Sequence, residues 1–250
     1  MNMKSIRKLH FKWILLLAVG PPVALAAPGD GLTGTGHDFA GTGTPATGLC
    51  TFCHTPHKAQ SQALLWNHDL STNNFTWTET ATTAGTTYPS FVGNTYNGST
   101  AKCLSCHDGS VAVGDIGWWD AQVPVNLDTT THDADEFNIA STGGSMDGNH
   151  PVAMPFPFNN VASTYNGQLT GAGIVLADWK ADPQTAGIRL FTDDGSGGIS
   201  AGATAGQTGI ECSSCHDPHN GAAVQGDYLL RGLLGGSTAD YICIKCHTKE

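Results

Sequence analysis

All eight cysteines of this 250-residue chain fall into one five-residue pattern, C-x-x-C-H, which occurs four times. The copies are Cys50-Thr-Phe-Cys53-His54, Cys103-Leu-Ser-Cys106-His107, Cys212-Ser-Ser-Cys215-His216 and Cys243-Ile-Lys-Cys246-His247. Two thiols at this spacing match the two vinyl groups of one haem, and the histidine that follows is then held beneath the ring as an iron ligand. Disulfide pairing, the usual fate of cysteines in exported proteins, gives no reason for a histidine after every pair. Zinc ribbons use C-x-x-C pairs without needing that histidine, and a thioredoxin-like redox centre needs one motif rather than four. The pattern therefore points to four covalent haems c. Their thioether cysteines would be Cys50, Cys53, Cys103, Cys106, Cys212, Cys215, Cys243 and Cys246, and their proximal ligands His54, His107, His216 and His247.

The rest of the composition fits a chain whose core is completed by such groups. Thirty-two glycines and twelve prolines interrupt it, and only 13% of its residues are charged. Glycine and proline break helices and strands alike. The expected fold is irregular and coil-rich, with short helices and a few short strands packed around a haem chain. Lys4, Arg7, Lys8 and Lys12 precede a short apolar stretch, Trp13 to Val19, and Ala24-Leu25-Ala26 offers a cleavage site. That reads as a signal peptide over 1–26, followed by one tetrahaem domain over 27–250. The apolar stretch falls short of the roughly 20 residues that span a bilayer. The expectation is therefore no membrane span, and a home that is extracellular, at the cell surface or periplasmic. Loss of the leader takes the formal charge from −10 to −14, which argues against nucleic acid and anionic lipid as partners.

Besides His10 in the leader and the four motif histidines, six remain: His37, His57, His68, His132, His150 and His219. Six candidates for four distal positions are enough to cap every iron on both faces. Such irons have no open position for substrate, so the chain reads as an electron carrier with no catalytic residue. Multihaem reductases often mark their open haem with C-x-x-C-K, which does not occur here. His57 and His219 each follow a motif histidine by three residues, in CHTPH and CHDPH. Neither reaches round the macrocycle to the far face of its neighbour's iron, so each would bind an adjacent haem. His132 lies in the acidic run THDADE and reads as solvated. The acidic groups Asp133, Asp135 and Glu136, and Asp193 with Asp194, read as turns rather than calcium ligands.

Spacing between motif histidines is uneven: 53, then 109, then 31 residues. The Thr-, Asn- and Gly-rich segments 71–100 and 160–210 read as surface and assembly material with short strands or a hairpin. One strand is expected over Gly187–Phe191, entering a tight turn at Asp194. Short helices are expected around the motifs and over 238–246, with Ser237 or Thr238 as the cap. Trp118 and Trp119 are expected against a porphyrin face. The last motif has no histidine after His247, so its distal ligand comes from upstream or from another subunit.

The islands CTFCHTPH, LLWNH, CLSCHDGSVAVG, GNHPVAMPF, ECSSCHDPHN and CIKCH resemble the exported multihaem cytochromes with paired C-x-x-C-H motifs. More narrowly they resemble the tetrahaem members that polymerise into extracellular cytochrome filaments. The resemblance implies bis-histidine ligation throughout, a continuous haem stack and a homopolymer that exchanges electrons with other redox proteins or extracellular acceptors. In that family a histidine beside the first motif can ligate a haem of the next subunit, a role that falls to His57 here. The distal ligands carried over are His57 in TPH, His150 in NHPV and His219 in DPH. The fourth is His37 in GHDF, where Gly36 replaces the lysine of many relatives, or else its competitor His68 in LLWNH. A monomeric periplasmic shuttle and a reductase with one open haem are the alternatives.

Overall fold

The structure is a computed structural model that describes residues 27–40, 49–57, 59, 63–78, 88, 90–109, 116–118, 121–123, 139–140, 143–170, 175–235 and 239–248. Among the described residues two helices and ten strands of two or three residues are set in long irregular stretches, as a chain this rich in glycine and proline requires. Helix α1 (Ser99–His107) carries the second motif, and the single-turn α2 (Cys212–Cys215) carries the third. The first motif sits in turns and the fourth in a short 3-10 helix, Cys243–Lys245. Among the described residues no helix is long and apolar enough to cross a membrane.

Four strands form the largest sheet, in the order β5 (Met154–Pro155), β10 (Thr208–Ile210), β8 (Phe191–Asp193) and β9 (Ile199–Ala201), all antiparallel. Strand alternation sends neighbouring side chains to opposite faces. Phe191 joins a core with Phe75, Trp77, Tyr96, Leu104, Met146 and Tyr165, whereas Leu190, Ile210 and Met154 join a second with Phe156 and Ile188. Tyr165 lies flat on β10 at Gly209, where a Cβ would come within 2.2 Å of its ring, so only glycine fits. The other strands form three two-stranded pairs. They are β1 (Asn74–Phe75) with β2 (Phe91–Val92), β3 (Ile116–Trp118) with β4 (Ala121–Val123), and β6 (Thr164–Tyr165) with β7 (Gln168–Leu169).

Two sequence expectations need correction. The segments 71–100 and 160–210 are not surface material, because they supply Phe75, Trp77, Tyr96, Tyr165, Leu190 and Phe191, all buried. The aromatics scattered among their threonines are what the cores are made of. The strand expected at 187 begins at Phe191 instead: Pro183–Ala186 is a 3-10 helix that ends on Gly187 in the left-handed conformation. The expected tight turn follows it, with Asp194 accepting hydrogen bonds from the backbone of Ser196 and Gly198. Trp119, His132, the acidic run 133–136, the caps Ser237 and Thr238 and the leader 1–26 lie outside the described residues, as does the side chain of Trp118.

The link between β10 and α2 is densely hydrogen-bonded. Glu211, fully buried, accepts hydrogen bonds at Oε1 from the hydroxyls of Tyr96 and Tyr165, both at 2.5 Å. Its Oε2 accepts from the backbone N–H of Thr100 at 2.8 Å, at the start of α1. The N–H of Cys212 donates to Thr100 Oγ1, and Ser99 and Ser213 share a short hydroxyl contact. The first turns of α1 and α2 are thereby locked together, which brings the second and third motifs side by side across 109 residues of sequence.

Candidate metal centres

Three of the four motif histidines are held by the same backbone device, an antiparallel bridge to a residue far along the chain. His54 bridges Trp66, His216 bridges Leu230 and His247 bridges Trp179. In each, the residue after the partner donates its N–H to the carbonyl of the preceding cysteine. These bonds are Asn67 to Cys53 at 3.0 Å, Arg231 to Cys215 at 2.8 Å and Lys180 to Cys246 at 2.7 Å. In each, too, the N–H of the residue after the histidine returns to the residue before the partner: Thr55 to Leu65, Asp217 to Leu229 and Thr248 to Asp178. The indole of Trp66 meets His54 edge-on at 5.7 Å, and that of Trp179 packs on His247 at 4.4 Å. The second motif differs: His107 ends α1, and its carbonyl accepts from Ile139 N–H.

The imidazole nitrogens are set for metal binding. His54 Nδ1 lies 2.7 Å from the Leu64 carbonyl, His216 Nδ1 2.8 Å from the Tyr228 carbonyl and His150 Nδ1 2.8 Å from the Pro151 carbonyl. His37 Nδ1 lies 3.3 Å from the Pro218 carbonyl. A carbonyl only accepts, so Nδ1 carries the proton and Nε2 keeps its lone pair free for a metal. Burial, and then the facing imidazole of His150, hold His247 below the ordinary histidine range and so favour the neutral form that ligates.

Three motif histidines each face one of the spare histidines. The ring centroids of His37 and His107 are 6.1 Å apart, those of His54 and His219 6.3 Å, and those of His150 and His247 6.4 Å. A metal–imidazole bond of about 2 Å places each ring centroid roughly 3 Å from the metal, so two imidazoles on opposite sides of one ion would stand about 6 Å apart. The three separations match that expectation. Among the described residues no three His, Cys, Asp or Glu side chains gather as a metal site. A zinc centre would need three or four such donors, whereas a haem asks the protein for two. The residues present fit haem.

The pairing follows from the packing of particular segments. Asn220 clasps the start of the described chain: its Oδ1 accepts from Gly29 N–H, and its Nδ2 donates to the Ala27 and Gly31 carbonyls. That clasp, with the stacking of Phe39 on Phe52 at 4.0 Å, delivers His37 to His107. His219, on the tail of the third motif, reaches the first motif. His150 lies four residues before the sheet strand β5. His68 is fully buried between Phe52 and Trp66, at 5.0 and 5.5 Å, and among the described residues it takes no part in the three facing pairs. His57 and His216 are both exposed, and among the described residues no second histidine is set against either.

None of the eight cysteines is in a disulfide. Burial pushes the thiols of Cys53 and Cys215 up to about 11, and those of Cys106 and Cys246 up to about 12. Contact with Cys103, then burial, raises Cys212 well above the ordinary range. These surroundings hold the sulfur neutral, and a thioether is neutral as well. Neighbouring motifs bring their sulfurs near one another, Cys53 near Cys106, Cys103 against Cys212 and Cys215 near Cys246. The four motifs thus follow one another as neighbours.

No protein-family model matches this chain, and no curated protein matches it either. Sequence reading missed the partners that hold the motif histidines, Trp66, Trp179, Leu230 and the carbonyls of Leu64 and Tyr228. One signal for two of them was available. Leu64-Leu-Trp-Asn67 and Tyr228-Leu-Leu-Arg231 are similar tetrapeptides, each downstream of a C-x-x-C-H-x-P-H segment.

Proposed function

We propose that this protein is an exported electron carrier with four covalent haems c, each iron held between two histidines, and that it assembles as a homopolymer. The observation that carries the reading is the set of three facing histidine pairs, at 6.1–6.4 Å, in which every pair contains one C-x-x-C-H histidine. When bound, haem iron supplies one-electron chemistry, and the protein contributes binding, spacing and electrostatics. Here His54 with His219, His107 with His37 and His247 with His150 would cap one iron each. The eight motif cysteines would anchor the rings, and Trp66, Leu230 and Trp179 hold the motif histidines in place. The neighbouring order of the motifs favours short steps for an electron from one end of the chain to the other.

The fourth centre distinguishes a polymer from a monomer. Among the described residues no second histidine is set against His216, and none against the spare histidine His57. If His57 of one copy caps the His216 iron of the next, the contact is heterologous and propagates as a filament unless it closes a ring. The lack of a described facing histidine at His216 favours a second reading, in which a lone subunit has one open iron and acts as a shuttle or reductase. Exported protein run on a denaturing gel should keep four haems per chain, since thioethers survive unfolding; loss of colour on denaturation would overturn the haem reading. Native preparations should show filaments by electron microscopy and no carbon monoxide adduct. Monomers that bind one carbon monoxide per chain would establish the open-iron reading instead.

A further inference from the structure

Nine non-glycine residues have a positive φ among the described residues, and four of them are asparagine, which tolerates it. The four bulky ones fall into two adjacent pairs: Leu64 and Leu65, at 61° and 54°, and Tyr228 and Leu229, at 57° and 58°. A left-handed conformation costs a bulky residue roughly 1–2 kcal/mol, and such outliers persist where the surrounding structure fixes them. Both pairs occupy the same place. The carbonyl of the first member meets the Nδ1 of a motif histidine, His54 or His216, and the carbonyl of the second accepts the N–H of the residue after that histidine. The residue three beyond the first member then binds the C-x-x-C loop: Asn67 Nδ2 donates to the Thr51 carbonyl and Arg231 Nε to the Ser213 carbonyl.

Packing does not explain the choice of residues at these turns. Leu64 is 65% exposed and Tyr228 67% exposed, so neither side chain is held by a core. What the left-handed turn accomplishes is to aim a carbonyl at an imidazole. We infer that Leu64–Leu65 and Tyr228–Leu229 are positioning residues that set the electron donation of His54 and His216, and hence lower the reduction potentials of the first and third haems. The inference rests on the haem reading proposed above. A carbonyl that takes a share of the Nδ1 proton makes the ring a stronger donor through Nε2, which favours the ferric state. In a reductive titration one electron from an added reductant enters per haem, no bond is made or broken, and the proton stays on Nδ1.

The test uses the full exported protein with its haems. Proline at both positions, Leu64→Pro with Leu65→Pro, forces φ negative and turns the carbonyl away from His54. One of the four potentials should then rise by about tenfold in the ferric–ferrous equilibrium, about 59 mV for one electron, with the other three unmoved. Tyr228→Pro with Leu229→Pro should raise a different one. Glycine at the same positions keeps the turn, so Leu64→Gly with Leu65→Gly should leave all four potentials in place. Four haems with unmoved potentials in the proline variants would overturn the inference, as would a common shift of all four. Should the proline variants lose haem, proton exchange in the unaltered ferrous protein decides. The Nδ1–H of His54 and His216 should exchange far more slowly than that of His57, and equal rates would overturn it. An unaltered protein with fewer than four haems would instead refute the haem reading itself.

Discussion

Removal of the Glu211 carboxylate should unfasten the joint between the second and third motifs. In Glu211→Leu the hydroxyls of Tyr96 and Tyr165 and the N–H of Thr100 all lose the acceptor they share. Glu211 and Thr100 are fully buried and the two tyrosines are 7% exposed or less, so water does not readily replace the carboxylate. A buried donor left unsatisfied costs roughly 1–3 kcal/mol, and three of them give an expected loss of roughly 3–6 kcal/mol with partial relaxation. Against a typical total of about 5–15 kcal/mol that is a large fraction. Urea unfolding of the haem-loaded protein, followed by tryptophan fluorescence, measures it. The cost comes from stranded donors rather than from the lost acid itself, so removing the hydroxyls as well should recover part of it. Glu211→Leu combined with Tyr96→Phe and Tyr165→Phe should be less destabilised than the three single losses summed. A loss below about 1 kcal/mol for Glu211→Leu, or strict additivity in the triple variant, would refute the reasoning.

Burial raises the Glu211 pKa above its ordinary value, against the opposing donors from Thr100, Tyr165 and Tyr96. Its contribution to stability is therefore complete below the unfolded carboxyl value of about 4.3 and is lost as pH rises through the folded one. Urea midpoints should fall over that rise in the unaltered protein and stay flatter in Glu211→Gln. His219→Ala, His37→Ala and His150→Ala should each open one iron, read as one carbon monoxide bound per ferrous chain under native conditions. Asn220→Ala removes the side chain that clasps Gly29, Ala27 and Gly31. It should release His37 and produce partial carbon monoxide binding with the His54 and His247 centres unchanged, and no adduct would remove Asn220 from that role. His57→Ala should abolish filaments while keeping four haems, and filaments of unchanged length by electron microscopy would remove His57 from the joint.

The haem chemistry we propose rests on local spacing. Cys212-Ser-Ser-Cys215-His216 needs five consecutive residues to state a haem attachment, and no distant part of the chain alters that reading. The rule that His57 and His219 cannot serve the iron of their own motif is equally local. The coil-rich architecture with short helices was readable for a similar reason, since glycine and proline act residue by residue. What lay between the motifs was not readable. The polar, threonine-rich appearance of 71–100 and 160–210 concealed that their few aromatics, Phe75, Trp77, Tyr96 and Tyr165, meet in one core.

Only the tertiary structure decided which histidine faces which. His37 stands against His107 because Asn220, 183 residues further along, clasps the segment that carries it, and His68 packs between Phe52 and Trp66. His150, not His57 or His219, meets His247. The carbonyls that fix the tautomers of His54 and His216 are backbone atoms, present at every residue, so their direction depends on φ at Leu64–Leu65 and Tyr228–Leu229 rather than on residue type. Sequence states which groups are capable of binding iron. Long-range packing states which two stand about 6 Å apart, because that separation depends on contacts no local pattern encodes.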